Sequence, residues 1–143
     1  MAIQTSSAEE TEAAGAELAA RLQPGDLVLV CGELGSGKTT FVRGACGALG
    51  VEGLVTSPTF ALGHLYASPR GEIAHLDLYR LSSLEGDDPG LLEDYLTVER
   101  FAFVEWPEVA EPALGKAVRA RVRMRHLGGD RRELDVRIED SAP

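Results

Sequence analysis

The sequence predicts an α/β fold, a mixed parallel and antiparallel sheet flanked by helices with an antiparallel β-hairpin at the C-terminal end. Three observations carry this. Leu27 to Cys31 and Phe101 to Val104 are continuous apolar runs of strand length, the pattern of parallel strands covered on both faces. Gly32-Glu33-Leu34-Gly35-Ser36-Gly37-Lys38-Thr39 joins the first run to a helix-like segment, Thr39 to Leu49. Ala117 to Glu139 alternates apolar and polar residues around Gly128-Gly129-Asp130.

In chain order, Ser7-Ala8-Glu9-Glu10 has the spacing of a capping box, and good helix formers follow, so a helix is expected from Ala8 to Leu22, closed by Pro24-Gly25. After the first strand and the helix that ends near Gly50, Leu54-Val55 is expected as a short strand and Thr56-Ser57-Pro58-Thr59 as a loop. Phe60 to Tyr66 and Glu72 to Tyr79 form an expected hairpin. In its second strand Ala74, Leu76 and Leu78 share one face; Ile73, His75, Asp77 and Tyr79 share the other, expected to be polar. Leu91 to Leu96 is a short helix candidate. In the last third Val118, Ala120, Val122 and Met124 face in opposite Leu134, Val136 and Ile138, while Arg119, Arg121, Arg123 and Arg125 face out. Parity favours Met124 opposite Leu134 with a three-residue loop. That register sets Arg125 opposite Glu133, Arg123 opposite Asp135 and Arg119 opposite Glu139, so the arginine stripe is mostly neutralised.

With 143 residues and no repeat or linker, residues 1–143 are read as one domain. The 44% hydrophobic and 26% charged content is that of a soluble globular chain without a membrane span or signal peptide, and a cytoplasmic location is expected. A formal net charge of −9 argues against bare electrostatic binding to nucleic acid. Cys31 and Cys46 fall in the first strand and the following helix, where they read as small buried residues.

The glycine-rich junction matches the phosphate-binding P-loop, G-x-x-x-x-G-K-[ST], and so predicts a P-loop NTPase fold. Its glycines let successive backbone N–H groups turn toward phosphate oxygens, with the helix N-terminus adding partial positive charge. Glu33, Leu34, Gly35, Ser36, Gly37, Lys38, Thr39 and Thr40 are the expected nucleotide-binding residues; Lys38 reaches the outer phosphates and Thr39 supplies a hydroxyl for Mg²⁺. A carboxylate must complete the metal site. Glu105 ends an apolar strand, where a Walker-B acid stands, and Asp77 is the second candidate, on an alternating strand expected to be antiparallel. Ser57 and Thr59 lie on a loop suited to sensing a γ-phosphate, and Trp106 follows the metal acid toward the mouth of the site. Arg43 and Arg80 are the arginines considered for the γ-phosphate. No N-K-x-D motif exists, so adenine is favoured over guanine. A kinase of a small metabolite and a nucleotide switch without meaningful hydrolysis stand as alternatives; the first is weakened by an acidic stretch between Arg80 and Arg100 that lacks arginine.

Four blocks together, the P-loop through Thr40, Ser57-Pro58-Thr59-Phe60, His75-Leu76-Asp77-Leu78-Tyr79-Arg80 and Val104-Glu105-Trp106-Pro107-Glu108, resemble the TsaE (YjeE) family. The resemblance runs from the N-terminal helix through Glu108, and the last three blocks distinguish the family. It implies an ATPase required for threonylcarbamoyladenosine modification of tRNA, working with the TsaD–TsaB pair and meeting tRNA only through that complex. It further implies that Lys38 and Thr39 hold phosphates and Mg²⁺, that Glu105 is the metal or Walker-B acid, and that Asp77 is linked to hydrolysis. Glu33 stands where the family commonly has Asp and Ser36 where it commonly has Ala; the Leu81 to Gly90 connection follows the family loosely. A slow ATPase accelerated by partners is the expectation.

Overall fold

In the computed structural model, which describes residues 2–58, 62–79, 90–109 and 118–139, the two apolar runs lie side by side in the middle of one seven-stranded sheet. Its strands are β1 (Ala2–Thr5), β2 (Leu27–Gly32), β3 (Gly63–Tyr66), β4 (Ile73–Asp77), β5 (Phe101–Glu105), β6 (Val118–Gly128) and β7 (Arg131–Ile138), in spatial order β1-β7-β6-β2-β5-β4-β3. Strand β2 runs parallel to both β5 and β6, and β4 is parallel to β5; the pairs β3–β4, β6–β7 and β1–β7 are antiparallel. Residues in β2 and β5 are almost wholly buried, which is why these strands read as unbroken apolar runs rather than alternating ones.

Helices α1 (Ala8–Ala19) and α2 (Lys38–Leu49) cover one face; α3 (Gly90–Tyr95) lies on the other. Ser7 caps α1 by accepting from the Glu10 N–H at 3.1 Å, and the Glu10 carboxylate returns to the Ser6 N–H at 2.8 Å. Phe41 on α2 and Phe101 and Phe103 on β5 have no exposed surface and join Val28, Val30 and Leu18 in the larger core. Each such phenylalanine contributes about 1.5–3 kcal/mol by leaving water. The two helices cross almost backbone to backbone: a Cβ on Gly44 would lie 1.9 Å from the Glu12 carbonyl, so only glycine permits the approach. No helix among the described residues is long and apolar enough to cross a membrane.

Several expectations are corrected. Helix α1 ends at Ala19, with turns carrying the chain to Leu22. Leu54-Val55 forms no strand: Val55 plugs into the core from an irregular connection, and Leu54 is exposed. The first hairpin strand is Gly63–Tyr66 and the second Ile73–Asp77, both shorter than expected, and Thr59 to Ala61 lie outside the described residues. Strand β4 is antiparallel on one side only. The parity along it is as expected, yet the face with Ile73, His75 and Asp77 is not polar, because α2 and its neighbours cover it and His75 is fully buried. The C-terminal register is Met124 opposite Leu134, but the strands continue to Gly128 and from Arg131, so the turn is Gly129-Asp130 and the odd residue is absorbed as a bulge between His126 and Gly128. The expected cross-strand positions hold, Arg125 opposite Glu133, Arg123 opposite Asp135 and Arg119 opposite Glu139, but of these only Arg125–Glu133 becomes a direct carboxylate pair, at 3.1 Å. The Glu139 carboxylate reaches Arg121, that of Asp135 reaches Arg137, and Arg119 lies 3.8 Å from Asp26 while donating to the Glu139 carbonyl at 2.7 Å. Strand β1 was not expected; it completes the edge beyond β7.

Candidate nucleotide site

The parallel arrangement brings three strand ends together. Glu105 on β5 is opposite Val30 on β2 and opposite Asp77 on β4, so the carboxyl end of β5 stands between the P-loop and Asp77. Parity directs Glu105 and Asp77 to the helix-covered face, along with His75. This placement follows from strand register alone.

The loop between β2 and α2 needs left-handed backbone at Gly35 (φ 77°) and Gly37 (φ 98°), the latter being the cap of α2. Ser36 is fully buried, its N–H donating to the Glu33 carbonyl at 3.1 Å, whereas Leu34 projects with 65% exposure. The Glu33 carboxylate accepts from the His126 N–H at 3.2 Å, tying the loop to the end of β6. Lys38 folds back over the loop: its Nζ donates to the Gly32 carbonyl at 2.6 Å, to the Glu33 carbonyl at 2.8 Å and to Ser36 Oγ at 3.4 Å. Burial pushes the Lys38 pKa down, opposed by the charges of Glu105, Asp77 and Glu108.

Thr39 Oγ1 donates to both Glu105 oxygens, at 3.2 Å to Oε1 and 3.0 Å to Oε2. Glu105 Oε2 also meets His75 Nε2 at 2.5 Å, within the interior. Asp77 is turned differently: its Oδ2 accepts from Ser57 Oγ at 2.7 Å and its Oδ1 from the Tyr79 N–H at 2.9 Å, linking the Thr56–Pro58 loop to the site. Trp106 has φ 54°, a left-handed conformation costing about 1–3 kcal/mol in a non-glycine residue. It places the indole 4.2 Å from Lys38 Nζ, a cation–π contact, and against the Tyr79 ring at 4.8 Å between centroids.

The structure thus gathers Lys38, Thr39, Glu105 and Trp106 in one contiguous set, with Asp77 and Ser57 adjoining it through the β4–β5 register. Thr40 lies beside a recess of about 60 Å³ that Gly37, Thr11 and Arg132 also line. Thr59 and Arg80 fall outside the described residues. Arg43 is committed elsewhere, its Nε donating to the Val55 carbonyl at 3.2 Å and its guanidinium lying 3.7 Å from Glu12. Two neighbours escaped the sequence reading. His75 carries no predicted role, although its parity with Asp77 already puts it on the site's face. Arg132, whose side chain packs on Gly37, carried no signal, because only the assembled sheet brings β7 to the P-loop. Cys46 is buried, its thiol pushed up to about 12, and neither cysteine is in a disulfide.

The model of the family described as threonylcarbamoyl adenosine biosynthesis protein TsaE matches residues 5–134. Among relatives, the tRNA threonylcarbamoyladenosine biosynthesis protein TsaE of Bacillus subtilis is 36% identical over 126 residues, covering 88% of this chain and 78% of that protein. The protein of the same description from Streptomyces coelicolor is 40% identical over 118 residues, 81% of this chain and 79% of the relative. Among solved structures, that of YdiB from Bacillus subtilis superposes with a TM-score of 0.76 at 29% identity, covering 94% of this chain and 82% of that one.

Proposed function

The chain belongs to the TsaE family of tRNA threonylcarbamoyladenosine biosynthesis, and from that premise we propose that it binds ATP with Mg²⁺ at the loop Gly32 to Thr39 and hydrolyses it slowly. The observation that carries this reading is the Thr39–Glu105 contact at 3.0 and 3.2 Å, which puts a P-loop hydroxyl and a strand-end carboxylate on one spot.

Phosphates entering the loop would meet the first backbone N–H groups at the N-terminus of α2. Lys38 exchanges the Gly32 and Glu33 carbonyls, which it now contacts, for phosphate oxygens. Mg²⁺ fits the Thr39–Glu105 pair, since both offer hard oxygen donors; among the described residues no three His, Cys, Asp or Glu side chains form a cage, so phosphates and waters would complete its shell. Bound there, it would neutralise charge on the outer phosphates. Asp77, held by Ser57 and one strand from Glu105, orients the attacking water. The 60 Å³ recess at Gly37, Thr40 and Arg132 is too small for an adenine ring as it stands.

Partner dependence rests on charge and on arginine. Arg43 is held at Val55 and Glu12 and Arg80 lies outside the described residues; an arginine supplied by a partner would be worth roughly 10³ to 10⁵ in kcat. With a net charge of −9 the chain meets tRNA through the TsaD–TsaB pair rather than directly. Phosphate release from ATP tests the whole reading. Slow release by the isolated chain, a rise toward roughly 10³-fold on adding the pair, and none in Lys38→Ala are expected. Turnover that survives Lys38→Ala contradicts the site; turnover indifferent to the pair contradicts the coupling.

A further inference from the structure

His75 is a buried ionisable side chain that the chemistry above leaves without a task. It has no exposed surface; its Nε2 lies 2.5 Å from Glu105 Oε2, and among the described residues Nδ1 has no hydrogen-bond partner. A carboxylate accepts only, so Nε2 is the nitrogen that carries the proton. Tyr66 backs the imidazole, with ring centroids 6.3 Å apart; its hydroxyl donates to the Thr56 carbonyl at 3.3 Å and meets His64 Nδ1 at 3.1 Å. The imidazole is therefore wedged between an anchored ring and the Glu105 carboxylate.

Resting on the Mg²⁺-ATP reading, we propose that His75 is a positioning residue: its Nε2–H clamps Oε2 of Glu105, so that of the two oxygens within reach of the Thr39 hydroxyl the unclamped Oε1 is the one offered to the cation. A glutamate has three rotatable bonds, and without the clamp its carboxylate samples rotamers that turn it away from Thr39. Hydrogen-bond partners of metal-binding carboxylates commonly matter in this way. The role separates two quantities: nucleotide affinity without metal belongs to the P-loop, and the gain on adding Mg²⁺ belongs to the oriented Glu105.

The test is binding of ADP to the full chain, followed by the fluorescence of Trp106, its only tryptophan, with and without Mg²⁺. Wild type, His75→Leu, His75→Asn and His75→Gln are compared. The glutamine amide can place an N–H where Nε2 stands; asparagine is one methylene too short. Metal-free ADP affinity is expected to be equal in all four. The Mg²⁺ concentration for half-maximal effect should rise roughly tenfold or more in the Leu and Asn variants and return most of the way in Gln. Nitrogen-15 NMR of the nucleotide-free wild type should show His75 with a protonated Nε2. Folded Leu and Asn variants with wild-type Mg²⁺ dependence overturn the proposal. So does equal loss of metal-free affinity and melting temperature in all three variants, which marks a core filler, and so does a bare Nε2. If Leu and Asn fail to fold, retention of the Mg²⁺ dependence by Gln supports the clamp and its loss overturns it. If the wild type binds no ADP at all, the Mg²⁺-ATP reading falls first and the inference falls with it.

Discussion

Lys38 is kept charged in an interior position by three oxygens and an indole face, and the cost appears in its pKa, which burial drives below that of a free lysine. Linkage fixes the sign of the consequence. Between the lowered folded value and the ordinary value of 10.5, the unfolded chain binds more protons than the folded one, so stability rises with pH across that window. The difference in unfolding free energy between wild type and Lys38→Met should be flat at neutral pH and grow in favour of wild type toward pH 10.5, by at most about 1.4 kcal/mol per pH unit. Urea unfolding at several alkaline pH values measures this; a difference that stays flat to pH 10.5 contradicts the burial of a charged lysine. At this scale residue type and spacing marked out Lys38, Thr39 and Glu105, which the fold brings together. For His75 parity gave the face it shares with Asp77 and nothing more, since a lone histidine on an alternating strand gives no sign of the carboxylate that β5 brings against it.

Elements succeed or fail here by what covers them. The alternation in β6 and β7 gave the register correctly because a single-residue slip would bury arginines, while the extra residue at the bulge is invisible to parity. Leu54-Val55 was misread because an apolar pair says that something is buried, not that a strand partner exists. β1 was missed because four residues at an edge carry too little pattern. The close crossing of α1 and α2 gives a paired prediction on one helix. Gly44→Ala forces a Cβ to within 1.9 Å of the Glu12 carbonyl and should cost about 1–3 kcal/mol. Gly47→Ala, on the exposed side of α2 with nothing within 4 Å, should stabilise by about 0.5–1 kcal/mol. Chemical denaturation of the two variants checks both signs.

At the scale of the whole molecule, the strand order places β2 between β5 and β6, all parallel, so one sheet edge collects the P-loop, Glu105 and the end of β6. Its neighbour β4 adds Asp77 by register with Glu105. The apolar runs foretold two of these parallel strands; β6 did not look parallel, because its pairing with β7 dominates its pattern and the long-range pairing with β2 leaves no local trace. Family membership connects this edge to tRNA modification, and geometry alone speaks to what the edge binds. The most direct measurement is calorimetric titration of ATP into wild type and Glu105→Ala, each with and without Mg²⁺. The account predicts that the wild type binds ATP and gains affinity from Mg²⁺, while Glu105→Ala keeps metal-free binding and loses roughly tenfold or more of the Mg²⁺ gain. No binding by the wild type, or an undiminished Mg²⁺ gain in Glu105→Ala, would contradict it.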